Sequence, residues 1–165
     1  MKILAVDDEL LHLRQLERSI RDAVPDCELT CFLNPVEALA WAESCTPEIA
    51  FLDIQMPDIN GMELARLVSS DTRIIFTTAF KDYAFDSYEV NALDFLLKPI
   101  RYVKFVAAVE KAREWFDLKE NASKAIQEST SSQEGSGRDT YTFIRDDGWL
   151  QHYKALVYYQ FLLPF

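Results

Sequence analysis

Long apolar runs are missing from this 165-residue chain. A helical membrane span needs about 20 consecutive apolar residues. The apolar start at Lys2 to Val6 is broken at once by Asp7, Asp8 and Glu9, and the longest uncharged stretch, residues 155–165, falls well short of a span. No membrane segment and no secretory leader is expected. Cysteine is scarce as well. Cys27, Cys31 and Cys45 are odd in number, at spacings that fit neither a disulfide framework nor a metal knuckle. They read as small buried side chains in a reducing cytoplasm. Positive charge is the third shortage: 17 Lys and Arg stand against 27 Asp and Glu, a formal charge of −10. Residues 1–120 hold 13 against 22 and residues 121–165 hold 4 against 5, so neither part has a basic excess. Binding to a phosphate backbone requires one, which makes this chain a poor nucleic-acid ligand.

What is present is a globular profile, 49% apolar and 27% charged, long enough for one domain with a proper core. The organising stretch is Ile49-Ala50-Phe51-Leu52-Asp53-Ile54-Gln55-Met56-Pro57. Its uncharged beginning reads as a strand buried on both faces, the habit of a parallel sheet. Pro57, Asn60 and Gly61 mark the loop that follows. Around it, Lys2 to Val6 is a strand, and Leu13, Leu16, Ile20 and Val24 recur at helical spacing up to Pro25. Cys27 to Phe32 alternates as a strand, and Asn34-Pro35 offers an N-cap and first-turn pair for a helix to about Ser44. A helix over about 61–69, a strand over 73–77, a marginal helix over 82–90 and a strand over 93–97 come next. Tyr102, Phe105, Val106, Val109, Ala112 and Phe116 then form the stripe of a last helix. Five strands alternating with helices predict an α/β fold, a right-handed, doubly wound, five-stranded parallel sheet.

In this register Asp7, Asp8, Asp53, Thr78 and Lys98 all fall at the carboxyl ends of strands, where open α/β sheets bind their ligands. An aspartate that merely opens a turn would explain Asp53 alone, but not the acidic pair Asp7-Asp8, Thr78 and Lys98 on the same rim. Clustered carboxylates are oxygen donors suited to Mg²⁺, which takes one or two carboxylates directly and keeps several waters. With a cation relieving their mutual repulsion, Asp53 stays ionised and can attack a phosphoryl group to give an aspartyl phosphate. Lys98 supplies a fixed positive charge and Thr78 a rotatable hydroxyl donor.

Val6-Asp7-Asp8-Glu9, Leu52-Asp53-Ile54-Gln55-Met56-Pro57 with Asn60-Gly61, Thr78-Ala79 and Leu97-Lys98-Pro99 together resemble the receiver domain of two-component response regulators, over residues 1 to about 118. The resemblance implies a flavodoxin-like strand order 2-1-3-4-5 and a phosphoryl group accepted by Asp53 from a sensor histidine kinase. It implies Mg²⁺ held by Asp8, Asp53 and the backbone carbonyl of Gln55, with Asp7 acting through water. Thr78 would contact the phosphoryl group and Lys98 would pair with it. Phe95 would be the aromatic switch, although its alternative as an ordinary core aromatic stays open, and the Lys98-Pro99 peptide would be cis. Phosphorylation would then reshape the face formed by residues 82–116, which a partner or a second copy reads.

Residues 119–139 are rich in Ser, Gln and Gly and read as a flexible linker. Tyr141 to Ile144, Asp146-Asp147-Gly148 and Trp149-Leu150 read as a hairpin. The run Asn91-Ala92-Leu93-Asp94-Phe95-Leu96-Leu97-Lys98-Pro99-Ile100 is similar to regulators that carry a LytTR-type DNA-binding domain, and Phe143-Ile144-Arg145 with Asp147-Gly148 resembles that domain's start. Residues 140–165 are therefore expected to be a remnant of the start of such a domain, with DNA bound only through the missing remainder; a receiver acting alone is the alternative. The reading is a cytoplasmic signalling switch, not an enzyme beyond self-phosphorylation from a phosphodonor and slow autodephosphorylation. An interaction module that ignores phosphate is the alternative. A phosphohydrolase fits less well, because Gln55, two residues after Asp53, is no general acid or base.

Overall fold

A computed structural model describes residues 1–79 and 92–131. The chain divides into two units, Met1–Lys124 and Ala125–Phe165; the sheet and all described side chains belong to the first. Five strands, β1 (Lys2–Val6), β2 (Glu28–Phe32), β3 (Ile49–Asp53), β4 (Arg73–Thr78) and β5 (Asp94–Leu97), form one parallel sheet in the order β2-β1-β3-β4-β5. Helices α1 (Leu10–Ala23), α2 (Pro35–Cys45), α3 (Gly61–Leu67) and α4 (Tyr102–Ser131) complete the described elements. This is the expected doubly wound fold. The helix expected over 82–90 and the hairpin after residue 140 lie outside the described residues.

The two-residue period of the strands sorts the core into two layers. Ile3, Ala5, Ile49, Phe51, Ile75 and Leu96 pack with Leu13, Leu16 and Ile20 of α1 and with Phe105, Ala108, Val109 and Ala112 of α4. The alternate residues Leu4, Val6, Ala50, Leu52, Ile74 and Phe76 pack with Ala38 and Ala42 of α2 and with Met62, Leu64 and Ala65 of α3. Every residue of β3 is buried, as its uncharged sequence requires. Phe51 stacks on Phe105 with ring centroids 5.3 Å apart, and truncating a buried Phe to Ala costs about 3–5 kcal/mol.

Local chemistry sets the helix starts. The Asn34 side chain accepts from Val36 N at 2.8 Å, with Pro35 in the first turn of α2. At α3 a capping box closes: Asn60 Oδ1 accepts from Glu63 N at 2.9 Å, and Glu63 Oε2 accepts from Asn60 N at 3.0 Å. Gly61 begins this helix pressed against β3. A Cβ built there would lie 2.1 Å from the Asp53 carbonyl oxygen. Only glycine permits that approach.

One expectation needs correcting. The stretch expected as a flexible linker over 119–139 is helical in its first part, because the last helix runs to Ser131. Polar composition bears on burial, not on backbone preference. No Gly or Pro occurs between Pro99 and Gly135, and Lys, Glu, Ala and Gln are good helix formers. The helix is also tied down at the end of its apolar stripe and just beyond it. The Arg73 guanidinium lies 3.8 Å from the centroid of the Trp115 ring, and Lys119 pairs with Asp71 in the turn before β4.

Candidate functional site

The parallel register brings the rim residues to one level. Val6 pairs with Leu52, so Asp7 stands beside Asp53; Asp53 pairs with Thr77, and Thr78 with Leu97, so Lys98 follows immediately. Neighbouring strands are about 4.8 Å apart, which puts β5 roughly 10 Å from β3. A long flexible side chain is needed to cross that gap, and lysine supplies it. Lys98 Nζ donates to Asp53 Oδ2 at 2.7 Å and reaches Asp7 Oδ2 at 2.8 Å. Its backbone N–H donates to the Thr78 carbonyl at 2.7 Å, which anchors the end of β5 to the end of β4. The Lys98-Pro99 peptide is cis.

Asp7 and Asp53 are buried, only 1% and 4% exposed, whereas Asp8 faces solvent. Two buried carboxylates share one ammonium, so the trio keeps a net negative charge. Burial pushes the Asp53 carboxyl above its ordinary range; the hydrogen bond from Lys98 pulls it back only in part, and the charge of Asp7 adds to the rise. Burial alone would lower Lys98, but its bonds to Asp53 and Asp7 outweigh that and hold the ammonium above its usual value. Carboxylate oxygens of Asp7, Asp8 and Asp53 lie within 4.8 Å of one another, an arrangement that could hold a metal ion. Hard oxygen donors with residual negative charge fit a hard divalent cation such as Mg²⁺. Chemically, the rim offers an ionisable oxygen, a fixed cation beside it and a cradle for a second one.

This geometry has relatives. The family model described as the response regulator receiver domain matches residues 3–110. The chain belongs to that family. The transcriptional regulatory protein BtsR of Escherichia coli is 36% identical over 121 residues, covering 69% of this chain and 48% of BtsR. The sensory transduction protein LytT of Bacillus cereus is 35% identical over 117 residues, covering 67% of this chain and 46% of LytT. The chain thus spans about half the length of the curated relatives it matches. Among solved structures, the response regulatory domain of MrkE from Klebsiella pneumoniae superposes with a TM-score of 0.66 at 26% identity, over 72% of this chain and 99% of that one.

The receiver domain brings Lys98 onto Asp7 and Asp53, and Asp8 into one carboxylate cluster with those two. Thr78 is buried at the adjacent strand end. Gln55 is exposed, and its N–H points to Asp53 Oδ1 at 3.4 Å. Phe95 is half-buried, its ring centroid 5.1 Å from that of Phe76. Two neighbours were not foreseen. His12, in the first turn of α1, places Nδ1 3.2 Å from Lys98 Nζ. The available signal was its position: a helix starting just after the acidic pair swings its third residue back over the strand ends. Gly61 was read as a loop marker, and its contact with the Asp53 carbonyl depends on tertiary packing that no local pattern encodes. Among the described residues no helix is long and apolar enough to cross a membrane.

Proposed function

We propose that Asp53 accepts a phosphoryl group from a sensor histidine kinase and that residues 1–118 form a phosphorylation-driven switch. One observation carries this reading: a single half-buried ammonium, Lys98, held between Asp53 and Asp7, with Asp8 completing a cation-sized cluster. An Asp53 carboxylate oxygen attacks phosphorus, the bond from phosphorus to the donor atom breaks, and the donor leaves with the electron pair. Lys98 then pairs with a phosphoryl oxygen in place of the lost carboxylate charge, and the Thr78 hydroxyl donates to another. Asp7, Asp8, Asp53 and the Gln55 carbonyl would hold Mg²⁺, which when bound offsets the negative charge of the phosphoryl oxygens. Autodephosphorylation is slow, because Gln55, two residues after Asp53, is no general acid or base.

Phosphorylation adds about −1.5 to −2 charges at the rim. Lys98 and Thr78 are joined through their backbones, so their shift toward that charge is passed to the end of β5 and to Phe95 beside Phe76. The face over 82–116 changes shape, and a second copy of the chain docks there as a homodimer. Residues 119–139 then connect the receiver to residues 140–165, the start of a LytTR-type domain that controls transcription in a longer, cytoplasmic protein. The names of BtsR and LytT support this assignment.

The test is incubation with acetyl phosphate and Mg²⁺, followed by mass mapping. Labelling on Asp53 that Asp53→Ala abolishes supports the switch. A label on another residue, or none, refutes it, and rapid multiple turnover makes the protein a phosphohydrolase instead.

A further inference from the structure

We infer that His12 is a positioning residue for phosphoryl transfer, accepting the third hydrogen bond of the Lys98 ammonium. This rests on the phosphoacceptor reading of Asp53. An ammonium has three N–H donors, and Lys98 Nζ has three partners at bonding distance: Asp53 Oδ2 at 2.7 Å, Asp7 Oδ2 at 2.8 Å and His12 Nδ1 at 3.2 Å. The three come from β3, the end of β1 and the first turn of α1, so they triangulate a group carried by β5.

The contact assigns the imidazole tautomer. A proton on Nδ1 would face an ammonium 3.2 Å away, donor against donor. Glu9 Oε1 at 3.3 Å and Asp7 Oδ1 at 3.9 Å lie near the same nitrogen and would favour that proton. The three neighbours are not equal, however. The Lys98 ammonium is held by two buried carboxylates and cannot retreat, whereas the Glu9 side chain is 64% exposed and free to turn into water. Asp7 Oδ1 is too distant for a hydrogen bond to Nδ1 and already accepts from Glu9 N at 3.0 Å. Lys98 therefore decides, His12 Nδ1 carries the lone pair, and the proton sits on Nε2.

His12 matters to the reaction because Asp53 ceases to be a full carboxylate when it attacks. In the acyl phosphate product, Lys98 loses one of its two strong acceptors at the moment it must meet the incoming phosphoryl oxygen. Asp7 alone would draw it toward β1. His12 is a neutral acceptor on a different element, and it keeps the ammonium aimed at the reacting centre without competing with the phosphoryl oxygen for charge.

The experiment uses the full chain. Its first readout is the ring ¹⁵N spectrum of His12 at neutral pH, which distinguishes a bare from a protonated Nδ1. Expected is a bare Nδ1 whose resonance shifts in Lys98→Met; a protonated Nδ1, or no response to Lys98→Met, overturns the inference. The second is the rate of Asp53 labelling by acetyl phosphate with saturating Mg²⁺. His12→Phe, similar in shape but without an acceptor, should slow labelling about tenfold, the scale of one charge-assisted hydrogen bond removed from a group that keeps others. His12→Gln, which restores an acceptor, should return to within about threefold of the parent rate. Equal rates for parent and His12→Phe refute the role of His12, while absence of labelling in the parent itself refutes the phosphoacceptor reading.

Discussion

Gly61→Ala sets two effects of opposite sign against each other. Gly61 is the first residue of α3 and has an ordinary negative φ, so alanine would on backbone grounds stabilise the domain by about 0.4–1 kcal/mol through the unfolded chain. The added Cβ, however, would stand 2.1 Å from the Asp53 carbonyl oxygen, 2.8 Å from the Asp53 carbonyl carbon and 3.0 Å from Ile54 Cα. All three atoms are backbone. No rotamer change can relieve the overlap, and contact at a normal separation demands a displacement of roughly 1 Å between α3 and the end of β3. Strand β3 is central and hydrogen-bonded on both sides, so α3 must move, with its capping box and the packing of Met62, Leu64 and Ala65. Overpacking of this kind costs about 1–3 kcal/mol, which exceeds the backbone gain. The net expectation is a loss of about 1–2 kcal/mol, read as a lower midpoint in urea unfolding with unchanged slope. Because the clash falls on Asp53 itself, the rate of acetyl phosphate labelling should fall more than stability alone would explain. An alanine variant as stable as the parent would show that the contact between α3 and Asp53 is not the constraint described.

Other consequences follow from the charge count at the rim. Asp53→Asn reduces two buried carboxylates around one ammonium to a one-to-one pair with Asp7, so the variant should melt several degrees higher than the parent at pH 7 and take no label. The sign agrees with the raised Asp53 pKa: ionised Asp53 opposes folding at pH 7, a cost relieved as pH falls through its folded value. Mg²⁺ should raise the melting temperature, by an amount equivalent to ~1.4 kcal/mol at ten times its Kd. The rise should vanish in Asp8→Ala; a rise that survives would place the cation elsewhere. Cys31 should resist alkylation: burial, with the charge of Glu17, pushes its thiol up to about 11, which leaves ~0.1% thiolate at pH 8. Iodoacetamide mapping at pH 8 should therefore modify Cys31 last of the three cysteines, and preferential labelling of Cys31 would contradict that.

Much of the receiver was readable from local pattern. An uncharged five-residue run means a strand covered on both faces, and β3 is buried at every position. Asn34-Pro35 announces a helix start because its hydrogen bonds lie within three residues, whereas Asn60, legible only as a loop marker, proves to cap α3; the rim carboxylates were identifiable because each ends or follows an apolar run. The helical start of the 119–139 stretch is not legible in its low apolar content, because that content bears on burial and not on backbone conformation.

The sequence by itself determined which residues are strand ends, since a two-residue period and a change from apolar to charged are properties of neighbours along the chain. Only the tertiary structure decided what those ends touch. Lys98 meets Asp53, Asp7 and His12 across 45, 91 and 86 positions of sequence, and α3 closes on the Asp53 carbonyl at the one residue without a side chain. Such contacts depend on strand order and on how far helices sit from the sheet. Those are set by the packing of the whole core, which no short window of residues contains.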